Sequence, residues 1–234
     1  MSDSNVVVIT GANRGIGLEL ARRYAAEGCE VIGVCRQSSD ELASVAAQVI
    51  EGVDVTTDAG IEKLKAGLAG KRISLLINNA GLLQDEQLGS IDFDSIRTQM
   101  EINAYAPLRV AEALVPLMGQ GSKIANITSR MGSIADNDSG GRYGYRASKA
   151  ALNAFGKSLA VDLKPRGIAV AQLHPGYVKT RMVNFGGLIT PEESARGLAE
   201  RIANLTLENT GSFWHCDGQE PPRCPGFVSS VPSR

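Results

Sequence analysis

The chain has 234 residues, 43% of them hydrophobic, with 26 glycines and a formal net charge of -1, a balance that suits one α/β domain with a single substantial core. Lysines and arginines are scattered, which leaves no electrostatic footprint for nucleic acid or an anionic membrane. The apolar stretch VVVI near the N-terminus is strand length and lacks a basic segment before it, and no apolar run approaches the ~20 residues that cross a bilayer, so a cytoplasmic location is expected.

The run NVVVIT reads as the first strand, and TGANRGIG at Thr10 to Gly17 carries it into the amphipathic stretch GIGLELARRYAAEG. EVIGVCR then precedes DELASVAAQV, and VIEGVDV precedes AGIEKLKAGLAG. The alternation continues through ISLLINNAG, the long stretch FDSIRTQMEINAYAPLRVAEALVPLM, SKIANITS, YGYRASKAALNAFGKSLAVDL and IAVAQLHPG, with GSFWHC as a further strand. Strand and helix in alternation, with strands apolar throughout, predict a doubly wound Rossmann domain: a seven-stranded parallel sheet flanked by helices on both faces. TPEESARGLAERI reads as a later helix with Thr190 as its cap. Residues 1–216 form the expected domain, and the Pro-, Gly- and Ser-rich residues 217–234 an irregular tail.

The chemistry begins at the glycine loop. A glycine-rich turn between a strand and a helix lets backbone approach a pyrophosphate, and the helix N-terminus adds unpaired N–H donors and partial positive charge. Gly11, Asn13, Arg14, Gly15, Ile16 and Gly17 are therefore the expected nucleotide cradle. About twenty residues further on, a carboxylate holds the ribose 2′-hydroxyl of NAD, whereas a cation accepts the 2′-phosphate of NADP. The position reads Cys35-Arg36-Gln37, and the nearest acid, Asp40, is expected to start a helix, so Arg36 and Arg14 favour NADP(H) over NAD(H).

Tyr145 and Lys149 lie four residues apart, which puts them about 40° apart on one helix face, a turn separated. A neighbouring cation favours phenolate over phenol, so the pair predicts a tyrosine pKa lowered towards working pH. Tyr143, six residues before Lys149, leaves a different face. Cys29, Cys35, Cys216 and Cys224 form no CxxC pair and no cluster with His174 or His215 at ligand spacing, so no metal site is expected. Cys29 and Cys35 read as small apolar residues around a strand, and His174 as a packed core histidine rather than a catalytic one.

In TGxxxGIG at Thr10 to Gly17, NNAG at Asn78 to Gly81, Asn103, Ser129 after ANITS, YxxxK at Tyr145 and Lys149, and Pro175, Gly176 and Thr180, the sequence resembles the classical short-chain dehydrogenases/reductases over nearly its whole length. YGYRASKAALN, HPGYVKT and GSFWHCDGQ are most similar to the sniffer and C-factor carbonyl reductases. The resemblance implies that Ser129 polarises a substrate carbonyl, Tyr145 donates the proton, Lys149 holds the nicotinamide ribose and tunes the tyrosine, and Asn103 anchors a water in a proton relay. It further implies cofactor contacts from Asn79, Ala80 and Gly81 beside the adenine-ribose, Asp54 and Val55 at the adenine, and Pro175, Gly176, Val178 and Thr180 at the nicotinamide. The implied reaction is NADP(H)-dependent reduction of an aldehyde, ketone or quinone, or its reverse on an alcohol; the alternative is a nucleotide-binding regulatory or signalling protein with little turnover.

Two departures from the family pattern concern the pocket rim. The loop containing DNDSGGR is longer than in many members, and the substrate loop from Tyr177 to Ile189 is short, which predicts an open pocket with broad substrate acceptance. Members often dimerise through two long helices, here read as Asn103 to Met118 and Tyr143 to Leu163 with small residues at Ala150, Ala151 and Ala154, so a homodimer is expected.

Overall fold

The computed structural model describes residues 5–221. Seven strands form one parallel sheet: β1 Val6–Thr10, β2 Glu30–Val34, β3 Gln48–Ile50, β4 Ile73–Asn78, β5 Met118–Ile127, β6 Ala169–His174 and β7 Phe213–His215. They lie in the order β3-β2-β1-β4-β5-β6-β7. The chain winds outward from β1 to β3, then crosses back to place β4 on the other side of β1. This reversal opens a crevice at the carboxyl ends of β1 and β4, where open α/β sheets hold ligands.

Period-two alternation divides the strands between two cores. Val7, Ile9, Leu75, Ile77, Ala171 and Leu173 face one layer with helices α1 (Gly15–Ala26) and α7 (Pro191–Ala203). Val6, Val8, Ile32, Leu76, Ile124 and Val170 face the other, against α3 (Asp58–Gly67), α5 (Ala106–Leu114) and α6 (Tyr143–Leu163). With both faces covered, the strands have no solvated side, which is why they read as unbroken apolar runs. The short α2 (Asp40–Val45) is capped by Ser39, so Asp40 does begin a helix. Thr190 and Glu193 form a reciprocal capping box at the start of α7.

Three expectations shift. The third strand ends at Ile50, because the chain turns at Gly52 (φ 70°) and Asp54 takes up a hydrogen-bonded turn. The helix read as Asn103 to Met118 begins instead at Phe93, as α4 (Phe93–Met100), and passes through a π turn at Glu101–Tyr105 into α5. Pro107 has no N–H to give to the Asn103 carbonyl four residues back, so the α-helical ladder is broken there. A 3₁₀ turn at Val115–Leu117 ends it, and Met118 already belongs to β5. Of residues 217–234, those up to 221 are described, and 217–219 fold as a turn in which His215 N–H donates to the Gln219 carbonyl (2.7 Å) and Gly218 N–H to that of His215 (2.9 Å). Residues 222–234, with Cys224, lie outside the described residues, as do residues 1–4.

A row of buried amides crosses the sheet centre. Asn78, Asn126 and Gln172 stand in register on β4, β5 and β6, and Asn78 Nδ2 donates to Asn126 Oδ1 at 2.9 Å. Helix α6 rests on this row through Gly156, where an added Cβ would come within 2.2 Å of Gln172 Oε1. Gly156→Ala is therefore expected to force α6 off the sheet and cost about 1–3 kcal/mol, the usual range for overpacking. Urea denaturation measures it: a midpoint equal to that of the parent protein would mean that the amide row yields freely.

Candidate active site

The residues singled out in the sequence converge on the carboxyl edge of the sheet. At the crevice, Asn79 locks β4 to the glycine loop: its Nδ2 donates to the carbonyls of Thr10 and Gly11, both at 3.0 Å. The Thr10 hydroxyl accepts the N–H groups of Asn79 (3.0 Å) and Ala80 (3.2 Å) in return. Gly17 is required by this closeness, because a Cβ there would lie 2.4 Å from the Gly11 carbonyl oxygen and 2.5 Å from Asn79 Nδ2. No side chain of Arg14, the N-cap of α1, closes the helix mouth. Asn13 and Ile16 are half-buried beside it, and the Thr180 methyl lies 3.5 Å from where a Cβ on Gly15 would sit. Open N–H donors between a glycine turn and a second loop fit a pyrophosphate.

Arg14 and Arg36 are both exposed on this edge. Asp54 accepts from the Thr56 hydroxyl (2.7 Å) and N–H (3.0 Å). These bonds hold its carboxyl below the usual carboxylate range, with a smaller pull from Arg36. Val55 is half-buried beside it. Exposed guanidinium groups are the donor set for a phosphate monoester, while the nearby acids are engaged elsewhere, Asp54 by Thr56 and Glu51 by the Ser38 N–H at 2.9 Å.

Ser129 ends the β5 edge, where its hydroxyl accepts from the Met131 N–H at 3.1 Å. It lies near enough to the Tyr145 hydroxyl to favour the phenolate there. Tyr145 is 8% exposed and Lys149 4%. The Lys149 ammonium lies 5.8 Å from the Tyr145 ring centroid and donates to the Ile127 carbonyl at 2.9 Å. The shared face inferred from the spacing is therefore present, but its expected electrostatic consequence is reversed. Burial pushes the Tyr145 phenol up to about 12, and the Ser129 hydroxyl and the Arg142 charge do not offset it. The same loss of water brings Lys149 down to about 8. A cation over the ring, turned towards a main-chain carbonyl, does little for a phenolate oxygen stripped of solvent.

Asn103 is fully buried in the π turn. Its Nδ2 donates to the Leu82 carbonyl (2.7 Å) and the Ser148 hydroxyl (3.0 Å), and its Oδ1 accepts the Leu82 N–H (2.8 Å). The Ser148 hydroxyl in turn donates to the Tyr145 carbonyl at 2.9 Å. A Cβ on Gly81 would lie 3.3 Å from Asn103 Oδ1 and 3.8 Å from Lys149 Nζ, so these two groups flank Gly81. Both N–H donors of its amide are engaged, so Asn103 can offer a water only acceptor oxygens.

On the far side, the Pro175 carbonyl accepts from the Ser194 hydroxyl at 2.7 Å, which ties the end of β6 to α7. Gly176 packs against Ile189, and Val178 pairs with Ile189 as an isolated bridge, closing residues 177–189 on themselves. Met182, Phe185 and Leu188 of this loop are exposed. His174 is buried with its ring edge-on to His215 at 4.8 Å, and its Nδ1 has no hydrogen bond among the described residues. Burial, then the His215 charge, brings it down to about 3, so it is a neutral core histidine.

The sequence reading passed over two features near the site. Arg130 grips Asp136 with two bonds, 2.7 and 2.8 Å, beside Ser129. Glu86, in what reads as a solvated loop, is 2% exposed. No motif or period marks either.

A family model described as short chain dehydrogenase matches residues 5–186, and the chain belongs to that family. It is 42% identical over 220 residues to a 1-hydroxy-2-glutathionyl-2-methyl-3-butene dehydrogenase of Rhodococcus sp. (strain AD45), covering 92% of this chain and 97% of the relative. Among solved structures it resembles the carbonyl reductase sniffer of D. melanogaster at 30% identity and a TM-score of 0.85, over 94% of this chain and 99% of that one. It resembles an NADPH-bound carbonyl reductase from chicken fatty liver at 30% identity and a TM-score of 0.84, with the same coverage of 94% and 99%.

His174 supplies a test of this packing. The folded state keeps it neutral down to about pH 3, whereas the unfolded chain takes up a proton near 6.5, so the stability from this group is lost as pH falls through that window. His174→Gln is expected to flatten the fall in unfolding free energy between pH 6.5 and 4, read by denaturant titration at several pH values; parallel curves would contradict the buried neutral imidazole.

Proposed function

We propose that this chain is an NADPH-dependent oxidoreductase that interconverts a carbonyl and an alcohol, with Tyr145 as the proton donor. The reading rests on one observation above the others: a buried Tyr145, whose phenol is influenced by the Ser129 hydroxyl, stands beside a buried Lys149 on the edge that also carries the glycine loop. Likeness to an NADPH-bound carbonyl reductase supports the cofactor, and the Rhodococcus relative, named for a hydroxyl-bearing substrate, supports the alcohol side of the reaction.

Gly11 to Gly17 and the α1 mouth would hold the pyrophosphate, Arg14 and Arg36 the 2′-phosphate, Asp54 and Val55 the adenine side, and Pro175 to Thr180 the nicotinamide side. When bound, the nicotinamide supplies the hydride. Every other function falls to the chain itself. The Ser129 hydroxyl donates a hydrogen bond to the substrate carbonyl oxygen, which polarises the carbon. Tyr145, whose phenol burial keeps protonated at neutral pH, gives its proton to that oxygen. Lys149, at about 8, is largely charged at neutral pH and is placed to donate to a ribose hydroxyl. An acceptor oxygen of Asn103, whose Oδ1 flanks Gly81 opposite Lys149, would hold the water that resupplies the proton.

Two substitutions test this reading. Tyr145→Phe removes the proton and leaves the cradle, so kcat for a panel of aldehydes, ketones and quinones should fall about 10²–10⁴-fold while NADPH binding by fluorescence stays within a few-fold. Full turnover in that variant would overturn the mechanism. Arg36→Asp replaces a phosphate-pairing cation with a repelling anion, so kcat/KM for NADPH should drop roughly 10–100-fold and that for NADH should hold or rise; an unchanged cofactor ratio would make Arg36 a bystander.

A further inference from the structure

Helix α6, which carries Tyr145 and Lys149, starts without a local cap. Its N-cap residue Arg142 sits in the left-handed region at φ 52° and offers no side-chain bond to the first turn. A long helix with N–H groups uncapped at a buried end requires acceptors from elsewhere. The carboxylate of Glu86 supplies one from 58 residues away: its Oε2 accepts the Gly144 N–H at 3.0 Å. The Oε1 accepts the Ser95 hydroxyl and Gln99 Nε2, each at 2.5 Å. The Glu86 main-chain carbonyl accepts the Arg142 N–H at 2.9 Å, and neighbouring Asp85 pairs with the Arg142 guanidinium at 2.6 Å.

The carboxylate has no ion-pair partner among the described residues, and the Arg142 guanidinium is taken by Asp85. Burying an unpaired charge costs several kcal/mol unless hydrogen bonds satisfy it, and an apolar residue of similar size would avoid the cost. The same segment is fastened further back. Gln99 Oε1 accepts the Gln84 N–H at 3.0 Å, and Asn103, one turn along the same helix face, grips Leu82. Gly144 leaves no slack, because a Cβ there would meet Gln99 Nε2 at 2.6 Å.

We propose that Glu86 is a positioning residue for proton transfer: through Gly144 N–H it sets the start of α6, and hence the Tyr145 hydroxyl, relative to Gly81, Lys149 and Ser129. The inference rests on Tyr145 being the proton donor. Glu86 does not itself touch substrate. A tyrosine one residue beyond the anchored N–H is displaced by any slip of that turn, and misplacement by about 1 Å costs on the order of 10²-fold in rate.

The test uses the full chain with NADPH and one aldehyde that the parent enzyme reduces. Glu86→Gln turns one acceptor into a donor, against either Gly144 or the Ser95 and Gln99 pair. It is expected to lower kcat roughly 10–100-fold while the Kd for NADPH stays within about twofold. The double variant Glu86→Gln with Gln99→Glu moves the charge to the other end of the contact and keeps every hydrogen bond: the residue-86 amide donates to Ser95 and to the residue-99 carboxylate and accepts from Gly144. That variant should recover most of the lost kcat. Single-variant kcat within twofold of the parent, loss of NADPH affinity in step with kcat, or no recovery in the double variant would each overturn the proposal. If Glu86→Gln alone is insoluble, the double variant decides: kcat within threefold of the parent supports the proposal, and anything lower overturns it. Tyr145→Phe measured in parallel separates the two ideas, because retained turnover there defeats the proton-donor reading, whereas its loss beside an active Glu86→Gln defeats only this one.

Discussion

The whole arrangement depends on helix α6 lying flat against β5 and β6, close enough that backbone and buried amides touch. Glycines mark its close contacts with the sheet, with α4 and with the turn after β5 in that order. Gly156 meets the Gln172 amide, Gly144 meets Gln99, and a Cβ on Gly132 would come within 2.6 Å of the Lys149 carbonyl carbon. Close docking of a helix on a parallel sheet buries whatever that face carries. Here the face carries a phenol and an ammonium, and removing their water sets their chemistry more strongly than their proximity does.

Desolvation disfavours the charged form of each group, so it raises the tyrosine and lowers the lysine. The two shifts leave, at neutral pH, a phenol with its proton and a lysine still mostly charged, the states that the proposed carbonyl reduction would use. The Ser129 hydroxyl opposes the rise at Tyr145. The same loss of water keeps His174 neutral behind the site, where a charged imidazole would add a second cation near Arg130.

Much of this was legible in the residues. Apolar strands alternating with amphipathic runs dictated a parallel sheet covered on both faces, and the Tyr143–Leu163 helix, the Thr190 cap and the Asp40 helix start are local signals that local structure obeys. Other features were not. The break in the helix through Asn103 depends on a proline whose missing N–H acts four residues back, inside a stretch that otherwise reads as continuous helix. Glu86 lies among Gln84, Asp85 and Gln87, all exposed, and only the approach of two distant helices buries it.

The sequence by itself determined which groups could react, because side-chain chemistry and spacing along one helix belong to the chain whatever its surroundings: a tyrosine and lysine on one face, a serine at a strand end, arginines where a carboxylate could have stood. Only the tertiary structure decided their protonation and their exact company. Water is excluded by the packing of segments far apart in the chain, and neither the extent of that exclusion nor the remote carboxylate that closes the uncapped end of α6 has any signature along the sequence.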